Sequence, residues 1–121
     1  MNLGLEGKVA VITGGSDGIG KAAALSMSRE GVRVAIAARD QSRLDAAVAD
    51  ISDQTQNPVL GISTDVRDED SVRSLISQVA DEWGGIDILV NNAGTSSTSR
   101  LEEMSNEIMT ADIELKVYGA V

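Results

Sequence analysis

Residues 9–20 read VAVITGGSDGIG, an apolar run that leads through a glycine-rich turn into an alanine-rich segment. Short apolar runs of this kind predict a buried strand, and the segment that follows has the composition of a helix. Gly14 can adopt the positive φ of a tight turn, Gly18 has no Cβ to block a ligand, and Gly20 allows the helix to pack closely on the strand. N–H groups at the start of such a helix, together with its dipole, favour negative charge. The unit therefore predicts a site for the diphosphate of a dinucleotide.

The composition excludes several classes of function. The 121 residues contain no cysteine and no histidine, which excludes disulfides, thiolate or histidine-ligated metal sites and histidine-dependent triads within this chain. The formal net charge is -9, from 19 acidic and 10 basic residues, and it argues against nucleic acid or an anionic membrane as partner. Because no apolar run is long enough to span a membrane and no secretory leader is recognisable, we expect a cytoplasmic protein with one domain over residues 1–121.

The strand-to-helix pattern repeats along the chain. Four apolar runs predict strands, at residues 9–12, 32–38, 59–62 and 86–90. The segments between these runs have the period of a helix. Asp40 offers a cap for the second helix, which Asn57-Pro58 ends, and the third helix starts near Asp68 and stops at Gly84-Gly85. A further helix is expected from about Ser105 to Val121.

Right-handed crossovers between these strands leave two sheet orders open. The sheet either grows steadily, or reverses direction after the third strand and places the fourth beside the first. Reversal would bring the glycine turn and residues 91–94 to one crevice. We predict an α/β fold with a Rossmann-like doubly wound parallel sheet, truncated after the fourth strand and its following helix, so that the fourth strand has an unpaired edge.

Three motifs in this order resemble the short-chain dehydrogenase/reductase family: TGxxxGIG at Thr13–Gly20, Asp65-Val66 after the third strand, and NNAG at Asn91–Gly94. The resemblance covers essentially the whole chain and implies binding of NAD(P). By that resemblance, the diphosphate and the adenosine ribose lie along Gly14, Ser16, Asp17, Gly18 and Ile19, the adenine lies between Asp65 and Val66, and the nicotinamide ribose lies at Asn92, Ala93 and Gly94. Asn91 is expected to tie strand ends together, and Asp65 has the alternative role of capping a loop.

The end of the second strand bears on the choice between NAD and NADP. Where NAD-dependent relatives carry an acid for the ribose 2′-OH this chain has Ala38, and Arg39 follows with a guanidinium suited to a 2′-phosphate. NADP is therefore favoured over NAD. Asp17 argues the other way, because a carboxylate in the turn would repel a nearby phosphate.

The resemblance also implies what the chemistry is and what this chain lacks. The family transfers a hydride between the cofactor and a carbonyl or alcohol carbon, with a serine and a Tyr-x-x-x-Lys pair handling the proton. That constellation is absent from these residues, and Tyr118 is expected to serve packing or an interface. Lys116 occupies the position of the family's relay asparagine. Its ammonium could reach the relay, but we favour the alternative, in which the side chain only extends from a helix face to solvent.

We therefore expect the cofactor-binding, N-terminal half of a larger NADP-dependent oxidoreductase. Its substrate would be a small carbonyl or alcohol compound, and the resemblance implies a homo-oligomer, either a dimer or a tetramer. The alternative is a non-catalytic dinucleotide-binding module or sensor that lacks the Ser-Tyr-Lys site.

Overall fold

The computed structural model describes residues 5–14, 16, 18–91 and 116–119, the last four by their backbone. Within these residues strands and helices alternate along most of the chain. The elements are β1 (Val9–Thr13), α1 (Gly18–Arg29), β2 (Arg33–Ala38), α2 (Gln41–Thr55), β3 (Val59–Ser63), α3 (Glu69–Trp83), β4 (Ile88–Asn91) and β5 (Lys116–Gly119). The predicted strand-to-helix repeat is confirmed from β1 to β4.

All strand pairs are parallel, and the order across the sheet is β3-β2-β1-β4-β5. The sheet thus reverses direction after β3, and β4 lies beside β1. In the centre of the sheet Val11 is paired with Ala35 on one side and with Leu89 on the other. Of the two orders left open by the sequence, the reversed one is correct. It gives the α/β, Rossmann-like fold and brings the carboxyl ends of β1 and β4 together.

The sheet is buried on both faces by helices. Val9 and Val11 of β1 pack into a cluster with α3, whereas Ala10 and Ile12 pack into a second cluster with α1 and α2. All five residues of β1 are buried. Two covered faces explain why its sequence is continuously apolar rather than alternating. None of the described helices has both the length and the apolar character needed to cross a bilayer.

The helix ends follow the capping rules used to predict them. The Asp40 carboxylate accepts a hydrogen bond from the N–H of Arg43 at 3.2 Å, and Asp68 accepts from the N–H of Asp70 at 3.0 Å. Gly84 ends α3 with a φ of 87°. The end of α2 is less regular, since Gln56 adopts a φ of 60° without being glycine.

The predicted helix that runs to Val121 is wrong at residues 116–119. These residues form β5, which pairs in parallel with β4 in a register that joins Ile88 to Lys116 and Asn91 to Gly119. Valine and tyrosine favour strands, and the pairing covers an edge that would otherwise expose unpaired backbone groups. The predicted unpaired edge of the fourth strand is therefore wrong too. The predicted helix start near Ser105 lies outside the described residues.

Candidate nucleotide site

A cleft of about 320 Å³ opens at the carboxyl ends of β1, β2 and β3. It brings together four residues predicted for the site, Gly14, Ser16, Arg39 and Val66, and it is completed by Ala37, Ala38, Asp40, Arg43 and Thr64. Two backbone hydrogen bonds just beyond the strand ends hold its walls. The N–H of Gly14 donates to the carbonyl of Ala37 at 2.7 Å, and the N–H of Thr64 donates to that of Ala38 at 2.8 Å.

The positive φ predicted for Gly14 is confirmed, at 69°. Gly18, which was singled out for its lack of a Cβ, also has a positive φ, of 58°. A Cβ built on Gly18 would meet no atom within 4 Å, so that side of the turn faces open space. Because the N–H of Gly14 is already bonded to β2, the donors for an anion are the N–H groups in the first turn of α1, which have no partners within the helix.

Ile19 is the one large hydrophobic side chain that stands exposed among the described residues, at 71%. It lies in the first turn of α1, beside the glycine turn. Full burial of an isoleucine side chain is worth about 1.5–3 kcal/mol, so its exposure favours a ligand that covers it. Gly20, one residue further on, is buried, as expected for a helix packed closely on the sheet.

Two arginines line the opposite wall of the cleft. Arg39 follows β2 directly, and Arg43 lies in the first turn of α2. Asp40 between them caps α2, and its Oδ2 lies 3.8 Å from Nε of Arg43. Ala38 ends the strand, so no carboxylate occupies that position. Arg43 was not among the predicted site residues. An arginine in the helix turn that follows a capping aspartate is equally compatible with a solvated surface, so the sequence carried no signal that placed Arg43 in the cleft.

Asp65 lies between Thr64 and Val66, which both line the cleft. Its Oδ1 accepts hydrogen bonds from the backbone N–H of Arg67 at 3.0 Å and from Nε of Arg67 at 3.2 Å. The backbone hydrogen bond from Arg67, followed by the one from its side chain, lowers the pKa of Asp65 below its usual 3.8. Desolvation opposes this shift, and the charges of Arg67 and Arg39 add to it. The loop-capping role considered for Asp65 is thus present, whereas its ion pair with Arg67 was not predicted.

The ends of β1 and β4 are tied by a buried hydrogen bond. The hydroxyl of Thr13 donates to Oδ1 of Asn91 at 2.8 Å, and both side chains are almost fully buried. This bond is the structural tie expected of Asn91. It ties the end of β1, where the glycine turn begins, to the end of β4.

A sequence model of the short chain dehydrogenase family matches residues 8–121. The chain belongs to the short chain dehydrogenase family. Membership confirms the resemblance drawn from the three sequence motifs. Two of these motifs, the glycine turn and Asp65-Val66, adjoin the cleft described above.

Curated and solved members of the short chain dehydrogenase family cover most of this chain. An uncharacterized oxidoreductase of Staphylococcus saprophyticus is 37% identical over 117 residues, which are 97% of this chain and 50% of that protein. A sorbitol dehydrogenase of Cereibacter sphaeroides is 37% identical over 97% of this chain and 44% of its own length. L-sorbose reductase of Gluconobacter frateurii, solved with NADPH and L-sorbose, has a TM-score of 0.75 and 42% identity over 78% of this chain and 36% of that one. The chain thus spans about half the length of the curated relatives it matches.

Several residues predicted from the family motifs lie outside the described residues. They are Asp17 in the turn and Asn92, Ala93 and Gly94 after β4. Lys116, the candidate relay residue, is described only by its backbone, which lies in β5 rather than in the predicted helix. The roles of these five residues stay predictions.

Proposed function

We propose that this chain is the cofactor-binding half of an NADP-dependent oxidoreductase that transfers a hydride between NADP(H) and a carbonyl or alcohol substrate. Membership in the short chain dehydrogenase family supports the class of reaction. The observation that carries the choice of NADP is the basic wall of the cleft, where Arg39 and Arg43 follow a strand that ends in Ala38. The solved L-sorbose reductase that resembles this chain was crystallised with NADPH, in agreement with this choice.

Each part of the cofactor has residues of suitable chemistry. We assign the diphosphate to the first turn of α1 and to the glycine turn, with Ile19 covered by the cofactor. The adenine is assigned to Asp65 and Val66, and the nicotinamide ribose to Asn92, Ala93 and Gly94. Ser16 and Asp17 complete the adenosine side of the turn. The two glycines with positive φ and the open space at Gly18 fit a phosphate that approaches the backbone closely.

The basic wall suits a ribose 2′-phosphate for electrostatic reasons. A guanidinium binds phosphate through two parallel N–H groups, and its charge persists at any physiological pH. No described residue makes an ion pair or hydrogen bond with the Arg39 guanidinium. Among the described residues that line the cleft, the acidic one is Asp40, which accepts a hydrogen bond from the N–H of Arg43 as a helix cap. Its carboxylate is therefore already paired, and we expect it to weaken the wall only slightly.

The chain's own contribution to the reaction is binding and orientation. When bound, the nicotinamide ring supplies or accepts the hydride. The Thr13–Asn91 hydrogen bond ties the carboxyl ends of β1 and β4 together, and we propose that this tie helps to orient the bound group before reaction. We propose that the proton is handled by residues beyond this half of the protein. We further propose a cytoplasmic homo-oligomer, a dimer or tetramer, whose assembly state light scattering of the purified protein would test.

The test is a titration of the full-length protein with NADPH and with NADH, followed by nicotinamide fluorescence, in wild type and in Arg39→Ala. Charge-assisted hydrogen bonds contribute about 1.5–3 kcal/mol, and solvent screening at the cleft mouth reduces this, so we expect NADPH to bind about tenfold more weakly to the variant. The NADH affinity should change less than about twofold, which is near the noise of such titrations.

Arg33→Ala is the matched control, because Arg33 is exposed at the opposite end of the same strand. It removes the same charge far from the cleft, and both affinities should stay at the wild-type level. Equal wild-type affinities for NADPH and NADH, unmoved by Arg39→Ala, would contradict the assignment of NADP. Tight NADPH binding without turnover of any carbonyl or alcohol substrate would favour the non-catalytic module instead.

A further inference from the structure

We infer that Arg67 is a specificity-determining residue of this cleft, because it neutralises Asp65 and so leaves Arg39 available to a 2′-phosphate. The inference rests on the proposed function and deepens it. It gives a role to an arginine that lies outside the lining of the cleft and outside the family motifs read from the sequence.

Arg67 binds Asp65 through both its backbone and its side chain. Oδ1 of the carboxylate accepts from the backbone N–H at 3.0 Å and from Nε at 3.2 Å, and Oδ2 lies 3.5 Å from Nη2. The backbone N–H of Asp65 in turn donates to the hydroxyl of Ser71 at 2.9 Å, which anchors the loop to α3. The carboxylate therefore has one defined cationic partner, held by a turn of only three residues.

The loop that carries this pair is joined to the basic wall of the cleft. Ser63 is paired with Ala38 in the sheet, and its hydroxyl donates to the carbonyl of Arg39 at 3.2 Å. Thr64 continues the connection through its bond to Ala38. Asp65 is thus two residues beyond a direct contact with Arg39, and the positive charge of Arg39 contributes to the lowered pKa of Asp65.

Such proximity makes Asp65 a competitor for Arg39. A carboxylate and a phosphate are both good partners for a guanidinium, so an unpaired Asp65 would attract Arg39 and repel the incoming 2′-phosphate. With Arg67 bound, the Asp65–Arg67 pair carries no net charge, and both effects are reduced. NADH lacks the 2′-phosphate, so this pairing should matter to NADPH and scarcely to NADH.

The test measures the ratio of the NADH dissociation constant to that of NADPH in the full-length protein. The ratio cancels any contribution that Asp65 makes to binding the adenine, which both cofactors share. In Arg67→Ala we expect the ratio to fall about two- to fivefold, a modest change because the charges are partly exposed. The fall should shrink as salt is raised from about 0.02 to 0.5 M, since the Debye length then drops well below 10 Å.

A double-mutant cycle with Asp65→Asn decides how Arg67 acts. If Arg67 works through Asp65, Arg67→Ala should leave the ratio unchanged once the carboxylate is gone. A fall of the same size in the Asp65→Asn background would mean that Arg67 contacts the phosphate directly, and this result overturns the inference. An unchanged ratio in Arg67→Ala overturns it as well.

Arg73→Ala is the control for charge, because Arg73 pairs with Glu69 on the surface of α3 and its removal changes the net charge equally. It should leave the ratio at the wild-type value. If the ratio fell as much in Arg73→Ala as in Arg67→Ala, the effect would come from the overall net charge, and the inference would be refuted. Wild type that binds neither cofactor would refute the proposed function, and the inference with it. If the wild type prefers NADPH and Arg67→Ala keeps that preference, the inference is refuted and the proposed function is not.

Discussion

Replacement of Gly18 by alanine separates the demands of the fold from those of the nucleotide. The residue has a φ of 58°, and a Cβ there would meet nothing within 4 Å in the ligand-free protein. The left-handed backbone costs an alanine about 1–2 kcal/mol, and the reduced entropy of the unfolded chain returns about 0.4–1 kcal/mol. We therefore expect Gly18→Ala to lower the free energy of unfolding by only about 1 kcal/mol.

The effect on nucleotide binding should be larger, because the new methyl group occupies the space assigned to the diphosphate. An extra methyl group in a close-packed contact costs about 1–3 kcal/mol, which weakens NADPH binding by about 5- to 150-fold. Urea unfolding would give the stability, and fluorescence titration with NADPH would give the affinity. NADH should weaken by the same factor, since both cofactors carry the same diphosphate.

Gly84→Ala provides the matched control for this substitution. Gly84 has a φ of 87°, and a Cβ on it also meets nothing within 4 Å, but it caps α3 away from the cleft. The two variants should lose similar stability, and only Gly18→Ala should lose affinity. If both bound NADPH as wild type does, the glycine turn would not approach the diphosphate, and the reasoning that places it there would be refuted.

Two further predictions concern the scaffold. Thr13→Val removes the hydroxyl that donates to the buried Asn91 carboxamide and should lower the free energy of unfolding by about 1–3 kcal/mol. Thr13→Ser retains the donor, so urea unfolding should find it the more stable of the two variants, and the opposite order would contradict the role of the bond. The hydrogen bond from Lys21, followed by that from Gln54, lowers the pKa of Asp50 below 3.8. A lowered folded-state pKa stabilises the protein above the unfolded pKa, and this contribution is lost as the pH falls through the folded value. In Lys21→Met the pKa of Asp50 should therefore rise towards 3.8, and an unmoved carboxyl titration by NMR would contradict the pairing.

Most of the scaffold could be predicted because its signals are local. The apolar runs of β1 to β4 and the caps Asp40, Asp68 and Gly84 each depend on a few neighbouring residues. Strand order needed one more rule, the handedness of parallel crossovers, and that rule still left two arrangements. Packing decides between them, since the reversed order allows helices to cover both faces of the sheet. At Lys116–Gly119 helical spacing and strand-forming residues competed, and pairing with β4, a long-range contact, outweighed the local pattern.

The candidate site was predictable where backbone geometry requires a particular residue type. The positive φ of Gly14 could be anticipated because such turns favour glycine. The positions of Arg43 and Arg67 could not, because both depend on how a long side chain turns at the end of a strand or helix. An arginine at either position is compatible with a purely solvated surface, and only the fold shows that one lines the cleft and that the other pairs with Asp65.

The structure gives a reason why the cleft can be specific without being deep. Its walls are segments that extend beyond the ends of β1, β2 and β3, and such segments are ordinarily the most mobile parts of a fold. Here hydrogen bonds continue the sheet past the strand ends, from Gly14 to Ala37 and from Thr64 to Ala38. These bonds hold Gly14 and Thr64 against the end of β2, which reduces the ordering entropy that opposes binding. On the proposed assignment of NADP, the charge of Arg39 at the rim of this frame distinguishes two ligands that differ by one phosphate.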